Sequence, residues 1–347
     1  MAIATSPDTT APGWLRSRSF DLTFIVGVAA LAIASGWLVV NDPRLFAPIL
    51  LLDLWLLGYH HVIATYTRLC FDRASFREHR FLLFGLPFLV LGATVALAYG
   101  IGLWTLTTIY LYWQWFHYTR QSYGISKAYK RKSGAPLAED DRLAVVTLYL
   151  TPLWGILYRS NQAPETFLWL ELRVIPVPDI AVQIAGVLAA AAFLWWFATR
   201  LYAWLQGRLP LAHSLYLLSH HLVFFVGYVL IQDITYGWLV INIWHNAQYV
   251  LFVWLYNTKR FEKGVTNDAK FLSTISQRQW AVGYFLICIA ISTVVYLGIQ
   301  LTANALAFAG VIVIYQTINF HHYIVDSVIW KMRRPALRQT LGLTSTR

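Results

Sequence analysis

Charge is scarce in this chain. Only 12% of its 347 residues are Asp, Glu, Lys or Arg, where a soluble domain carries about a quarter. Cysteine is almost absent too: Cys70 and Cys288 are the only two, so no disulfide framework holds the fold. Both read as inert packing residues. There are also only 2 methionines, and no low-complexity linker divides the chain. What fills it instead is apolar: 58% hydrophobic residues, a mean hydropathy of +0.53, 16 Trp and 20 Tyr. That is the composition of a polytopic membrane protein with interfacial aromatic belts.

Apolar runs near the ~20 residues needed to cross a bilayer fall at Asp21–Val40, Phe46–Tyr66, Phe81–Tyr99, Leu103–Ile125, Leu143–Tyr158, Ile180–Ala203, His213–Ile231, Tyr236–Tyr256, Trp280–Leu297 and Ala303–Trp330. The expected fold class is an all-α, polytopic transmembrane helical bundle. It has about ten spans, or nine if the short run at 143–158 does not cross. Residues 1–20 read as a cytoplasmic segment, 21–330 as one transmembrane domain and 331–347 as a basic cytoplasmic tail. The start of the chain does not read as a cleaved signal peptide, because no small-residue cleavage site follows its first apolar run. TFLWLEL, residues 166–172, resembles a short interfacial helix inside the longest external loop.

The net charge of +11 invites a nucleic-acid partner, but its distribution argues for a membrane. With the N-terminus in the cytoplasm, nearly every Lys and Arg falls in cytoplasmic segments, and only Arg44, Arg159 and Arg173 lie on the other side. This is the positive-inside pattern. The expected setting is a bacterial-type cytoplasmic membrane, with membrane lipids as partners and no nucleic acid.

Ten histidines break the apolar pattern. His79 lies in a charged loop and reads as a surface residue; His213 reads as interfacial. The other eight, His60, His61, His117, His220, His221, His245, His321 and His322, lie inside spans. Counted from their basic boundaries they sit about 10–20 Å deep at 1.5 Å per residue. Ionisable residues there mark a functional site by default, and five helices bring them to one slab. A shared metal would satisfy several buried rings at once, whereas one unpaired polar group costs roughly 2–7 kcal/mol. All eight are therefore candidate metal ligands. Adjacent residues project about 100° apart on a helix, so within each pair one member can ligate while the other faces a neighbouring helix.

Asp326 follows His322 by four residues, and Asp53 precedes His60 by seven, two turns away on the same face. With Gln114, Asn242 and Asn246 they are the residue types that take the second N–H of a metal-bound imidazole. Tyr118, Tyr323 and Arg120 are candidate catalytic groups: the tyrosines as hydrogen-bond donors, Arg120 as a clamp for a carboxylate or phosphate. Trp113, Trp115, Phe116, Trp244 and Phe320 are expected to line an apolar cavity. Nitrogen and carboxylate donors suit iron, as one or two ions, with copper or zinc as alternatives.

The segments GYHHVIAT, WFHYTRQ, SHHLVFF, IWHNAQ and NFHHYIVD resemble the membrane-embedded histidine-cluster non-haem iron oxygenases. That class includes the fatty-acid desaturases and hydroxylases and the Brp/Blh-type carotene-cleaving dioxygenases. The HxxxH and HxxHH boxes of the desaturases are absent, and the histidines lie inside the spans, as in the dioxygenase group. The resemblance implies a metal-dependent oxidoreductase acting on a lipid-soluble substrate, served by an electron donor protein. Two alternatives stay open: a bis-His haem protein passing electrons, and a transporter or proton pathway lined by histidine.

Overall fold

The computed structural model describes residues 13–133, 141–305 and 310–343. The outer parts of the expected terminal segments, 1–12 and 344–347, and residues 306–309 of the expected last span lie outside them. The fold is almost entirely helical. Its long helices are α1 (Arg18–Asn41), α2 (Pro43–Cys70), α3 (Arg80–Gly100), α4 (Trp104–Ser133) and α5 (Asp141–Asn161). They are followed by α6 (Asp179–Leu205), α7 (Leu211–Leu230), α8 (Ile234–Arg260), α9 (Arg278–Asn304) and α10 (Val311–Ile329).

Six of these, α1, α2, α3, α6, α7 and α9, are long and apolar enough to cross a membrane. Three of the six, α3, α6 and α9, turn large apolar side chains outward: Phe88, Trp195 and Val294 are 74%, 69% and 72% exposed. A soluble monomer rarely shows such surface. Helices α4, α8 and α10 are more polar and sit inside. Helix α8 is buried along most of its length, packed between α1 and α2. Helix α10 packs on α3, α4 and α2.

One end of the bundle gathers the basic residues. There Arg260 pairs with Asp72 at the end of α2, and Arg131 donates to the Met332 carbonyl at 3.2 Å. Helix α1 starts at the same end, where Asp21 accepts the backbone N–H groups of Leu15, Arg16 and Ser17 at 2.9–3.0 Å and the Tyr129 hydroxyl at 2.6 Å. Asp21 thus pins the segment leading into α1, and the Ser17 hydroxyl caps the helix start by accepting the Phe20 N–H at 3.3 Å, one of the donors a first turn otherwise leaves unpaired.

The opposite end carries the stretch expected as an interfacial helix. It is instead a β-hairpin, β1 (Thr166–Phe167) paired antiparallel with β2 (Leu170–Glu171). Leu168 and Trp169 form its two-residue turn with φ of +52° and +63°. Phe167 is fully buried against Tyr110 and Trp238. The hairpin inserts one aromatic into the bundle, which a helix lying along the surface would not do.

Among the described residues three π-turns occur, inside α1 at Thr23–Gly27, inside α2 at Leu54–Gly58 and at the end of α7 at Val226–Leu230. The second matters most for the site. It adds a residue between Asp53 and His60, so they do not share a face as a regular helix would require.

Candidate metal centre

Four of the eight histidines converge. His61 from α2, His117 from α4, His245 from α8 and His322 from α10 lie with ring centroids 4.4–5.4 Å apart in successive contacts. One nitrogen from each of His61, His117 and His245 lies within 4.8 Å of the others, and the same holds for His117, His322 and an Asp326 oxygen. All five residues are buried.

A carbonyl partner assigns one tautomer, that of His61. His61 Nδ1–H donates to the Gly58 carbonyl at 3.1 Å, because a carbonyl can only accept. The carbonyl sits at the close of the π-turn. His322 Nδ1 lies 3.1 Å from Thr65 Oγ1. Thr65 has one proton, and its other contacts are Asp326 Oδ1 at 3.1 Å and the Tyr249 hydroxyl at 2.5 Å. Given to either, that proton leaves His322 Nδ1 as the donor. The nitrogen opposite a donating N–H is then bare.

With both protons on Nδ1 the two Nε2 atoms face each other bare at 2.7 Å; with the His322 proton on Nε2 they form a single imidazole–imidazole hydrogen bond. Lone pair against lone pair is repulsive unless a cation stands there. A proton would serve that one contact. Yet His117 Nε2 and both nitrogens of His245 are also buried without a hydrogen-bond partner. Asp326 Oδ2 adds negative charge, 3.4 Å from His322 Nε2 and 3.9 Å from His117 Nε2. A metal ion would satisfy several of these atoms together. The residues therefore fit such an ion, with imidazole nitrogens and a carboxylate as donors. Neither cysteine joins them: Cys70 is exposed and Cys288 packs with Tyr284.

The other four histidines do not converge here. His60 points at Phe285 of α9. His321 is held between the Tyr66 hydroxyl at 2.5 Å and the Leu82 carbonyl at 2.7 Å. Each is the neighbour of a converging ring, and the ~100° step between adjacent residues turns it to another helix. His220 Nε2 meets the Leu148 carbonyl at 2.9 Å and His221 Nδ1 meets Thr151 Oγ1 at 3.0 Å, both on α5. Helix α7 thus directs its pair away from the cluster, with Trp244 beside His220. His79, expected at the surface, is buried and bonds the Ser75 carbonyl; His213 is buried too and bonds Ser126.

Asp326 is placed differently from the expectation. It faces the Nε2 side of His322, while Thr65 takes the Nδ1–H and links it to Asp326 Oδ1. Tyr249 also donates to Oδ1, at 2.8 Å, and accepts from Trp330 Nε1 at 2.8 Å. Thr65 was not singled out from the sequence. Its signal is the i+4 spacing from His61, and Tyr249 stands at i+4 from His245.

The remaining expected polar partners bond one another. Trp238 donates to Gln114 Oε1, Gln114 donates to Tyr110 and Tyr118, Tyr118 donates to Asn242, and Asn242 and Asn246 donate to Asp53. This chain of neutral donors ends on a buried carboxylate. It touches the cluster through the Tyr118 ring, 4.1 Å from that of His245.

Two cavities flank the centre. The first, about 190 Å3, is lined by His117, Asp326, Tyr249 and Tyr323, by Trp113 and Phe116, and by Arg120 and Lys331 at the basic end. The Tyr323 ring stacks on His117 at 4.4 Å, and Arg120 bonds the Tyr149 hydroxyl at 2.8 Å. Phe320 stacks behind Trp113 at 5.3 Å. Trp115 bonds the Pro152 carbonyl instead, and Trp244 packs with Phe224. The second cavity, about 260 Å3, lies toward the hairpin and is lined by His61. Tyr323 borders both.

No protein-family model matches the chain, and no curated protein and no solved structure matches it.

Proposed function

We propose that the chain is an integral membrane, metal-dependent oxidoreductase of the oxygenase, hydroxylase or desaturase type, acting on a lipid-soluble substrate. The observation that carries the reading is the convergence of four buried imidazoles: His61 and His322 Nε2 at 2.7 Å, beside the unpartnered nitrogens of His117 and His245. His61, His117, His245 and His322 hold the metal, with Asp326 as a carboxylate donor. Iron bound there would supply the electron-transfer and dioxygen chemistry needed to functionalise an unactivated C–H or C=C bond; copper and zinc share the donor preference.

The protein residues do the rest. Gly58 and Thr65 fix two imidazoles with Nε2 inward. Trp113 and Phe116 offer apolar walls to an acyl or isoprenoid chain in the first cavity. The Tyr323 ring, stacked on His117, forms part of that cavity's wall, while its hydroxyl meets Tyr110. Arg120 stands at its end to meet a carboxylate or head-group phosphate. A separate electron donor protein completes the system, docking on the basic end. That end is cytoplasmic in this reading, with about ten spans in a bacterial-type cytoplasmic membrane. A haem fits less well, because four rings in edge contact leave no flat slot between two axial histidines.

One observation favours a second reading. Cavities on both sides of the cluster, sharing Tyr323, suit a histidine-lined transporter or proton pathway. Metal analysis of protein purified in mild detergent separates the two. Iron at about one per chain, lost in His322→Ala and kept in His220→Ala, supports the oxidoreductase. Equal metal content in wild type and His322→Ala, at equal folded yield, sinks it.

A further inference from the structure

Asp53 is a buried acid with no cation beside it. It lies inside α2, 4% exposed, and its two oxygens meet neutral amides: Asn242 Nδ2 at 2.5 Å and Asn246 Nδ2 at 3.4 Å. Among the described residues no Lys, Arg or His pairs with it. Helix α2 has two arginines of its own, and both are engaged at its ends. Arg44 pairs with Asp42 at 2.8 Å, and Arg68 stacks on Tyr256 and Trp330 at the basic end. A buried charge without a counter-charge is strongly destabilising, and within a membrane span it marks a functional site by default.

The hydrogen bonds that reach Asp53 are directed at it. Trp238 is the fixed point, because an indole N–H can only donate. Its bond to Gln114 Oε1 at 2.7 Å turns the Gln114 nitrogen toward the Tyr110 and Tyr118 hydroxyls. Tyr118 has one proton, and Asn242 Oδ1 at 2.5 Å is the acceptor for it. The Asn242 nitrogen is thereby left to donate to Asp53 Oδ2. A protonated oxygen there would need an acceptor, which that nitrogen is not. The chain therefore suits an ionised carboxylate. Its members also border the histidine cluster. Asn246 follows His245 in sequence, and the Tyr118 ring packs 4.1 Å from that of His245. On α2 the Gly58 carbonyl orients His61, and a Cβ at Gly58 would stand 3.4 Å from Asn246 Nδ2. The cation that the residues around Asp53 are built to hold is thus the metal ion, and a charge in so dry an interior acts over a longer distance than in water.

We propose that Asp53 is a counter-charge to the metal ion: a carboxylate that does not ligate it but favours a divalent cation in the neighbouring histidine cluster. The inference rests on the metal reading of that cluster. Zinc(II) and copper(I) test it, since they differ in charge. Each is titrated, without oxygen, into detergent-purified protein already dialysed against chelator, and affinity is read by competition with a chelator of known strength. Asp53→Asn should weaken Zn2+ about tenfold and Cu+ about threefold, because the energy of a charge pair is proportional to the charge of the ion. Damage to the shape of the site would weaken both ions alike. Asp53→Glu keeps the charge and should recover most of the Zn2+ affinity. The metal-free Asp53→Asn protein should unfold at a midpoint no lower than the wild type, since an uncompensated buried charge is removed. Asp53→Ser repeats the comparison where the asparagine variant folds poorly. Equal losses for the two ions, or no loss in a folded variant, would overturn the proposal and leave the metal centre standing. A wild-type protein that binds no Zn2+ would overturn both.

Discussion

The hydroxyl of Thr65 joins an imidazole to a carboxylate. His322 Nδ1–H, Thr65 Oγ1 and Asp326 Oδ1 form a short relay in which each member has one role. Partners of this kind fix the tautomer and orientation of a metal-binding ring, and losing one typically lowers metal affinity 10–100-fold. Thr65→Val keeps the shape and removes the relay. It should lower metal retention during chelator dialysis by about that factor, and Thr65→Ser should restore it. Asp326→Asn should act over the same range with the fold intact. His322→Ala should lose metal more completely, because it removes a donor atom rather than an orienting contact. If Thr65→Val retains metal like the wild type, the hydroxyl does not orient the ring.

Helix α7 crosses α8 where Gly227 meets Gly237. A Cβ on Gly237 would stand 1.9 Å from the Gly227 carbonyl oxygen. Arg159 closes the same corner from α5: its guanidinium, fully buried, donates to the Gln232 carbonyl at 2.6 Å, the Gly227 carbonyl at 3.0 Å and the Ile231 carbonyl. These carbonyls belong to the π-turn end of α7, which has no following turn to bond them. Hydrogen bonds from a charged donor are worth about 1.5–3 kcal/mol each. Arg159→Met should therefore cost at least about 2 kcal/mol, seen as a lower thermal unfolding midpoint in detergent. Gly237→Val should be more severe, since backbone must separate to admit it. Arg159 and the carbonyls it holds lie on α5 and at the end of α7, which contribute no residue to the histidine cluster, so under the oxidoreductase reading the Arg159→Met protein that remains folded should keep its metal.

At the scale of the whole molecule the apolar faces of α3, α6 and α9 turn outward while the polar helices α4, α8 and α10 are enclosed. The first cavity lies among those inner helices, between the cluster and the basic end. Gly124 lines it, and a Cβ there meets nothing within 4 Å. Gly124→Leu should therefore fill the cavity without strain and remove a helix-interior glycine, a gain of about 1 kcal/mol in intrinsic preference. Under the oxidoreductase reading, the variant should keep full metal content and turn over long-chain lipids at least about tenfold more slowly, a loss equivalent to 1.4 kcal/mol or more. The measurement is dioxygen uptake in vesicles of defined acyl length. Unchanged length preference would place the substrate elsewhere.

Much of this was legible in the chain itself. The scarcity of charge and the long apolar runs determine a helical bundle with lipid-type outer faces, because backbone polar groups in hydrocarbon must be satisfied within a helix. The histidines within those runs marked a site, and the ~100° step between neighbours already implied that His60 and His61, or His321 and His322, would part. Only the tertiary structure decided which member turns inward. It also decided that α7, despite its own His pair, faces α5, since side-chain spacing sets a face but not the helix it meets. The π-turn at Leu54–Gly58 shifted Asp53 off the expected face, and no local propensity in LWLLG announces it. The hairpin at Thr166–Glu171 was hidden for a similar reason: Leu168 and Trp169 carry no turn signal, and burial of Phe167 holds them in place. Thr65 acquired its role from α10 crossing α2, a contact between residues 257 positions apart. Pattern along a chain determines what each helix offers; packing decides which offers meet.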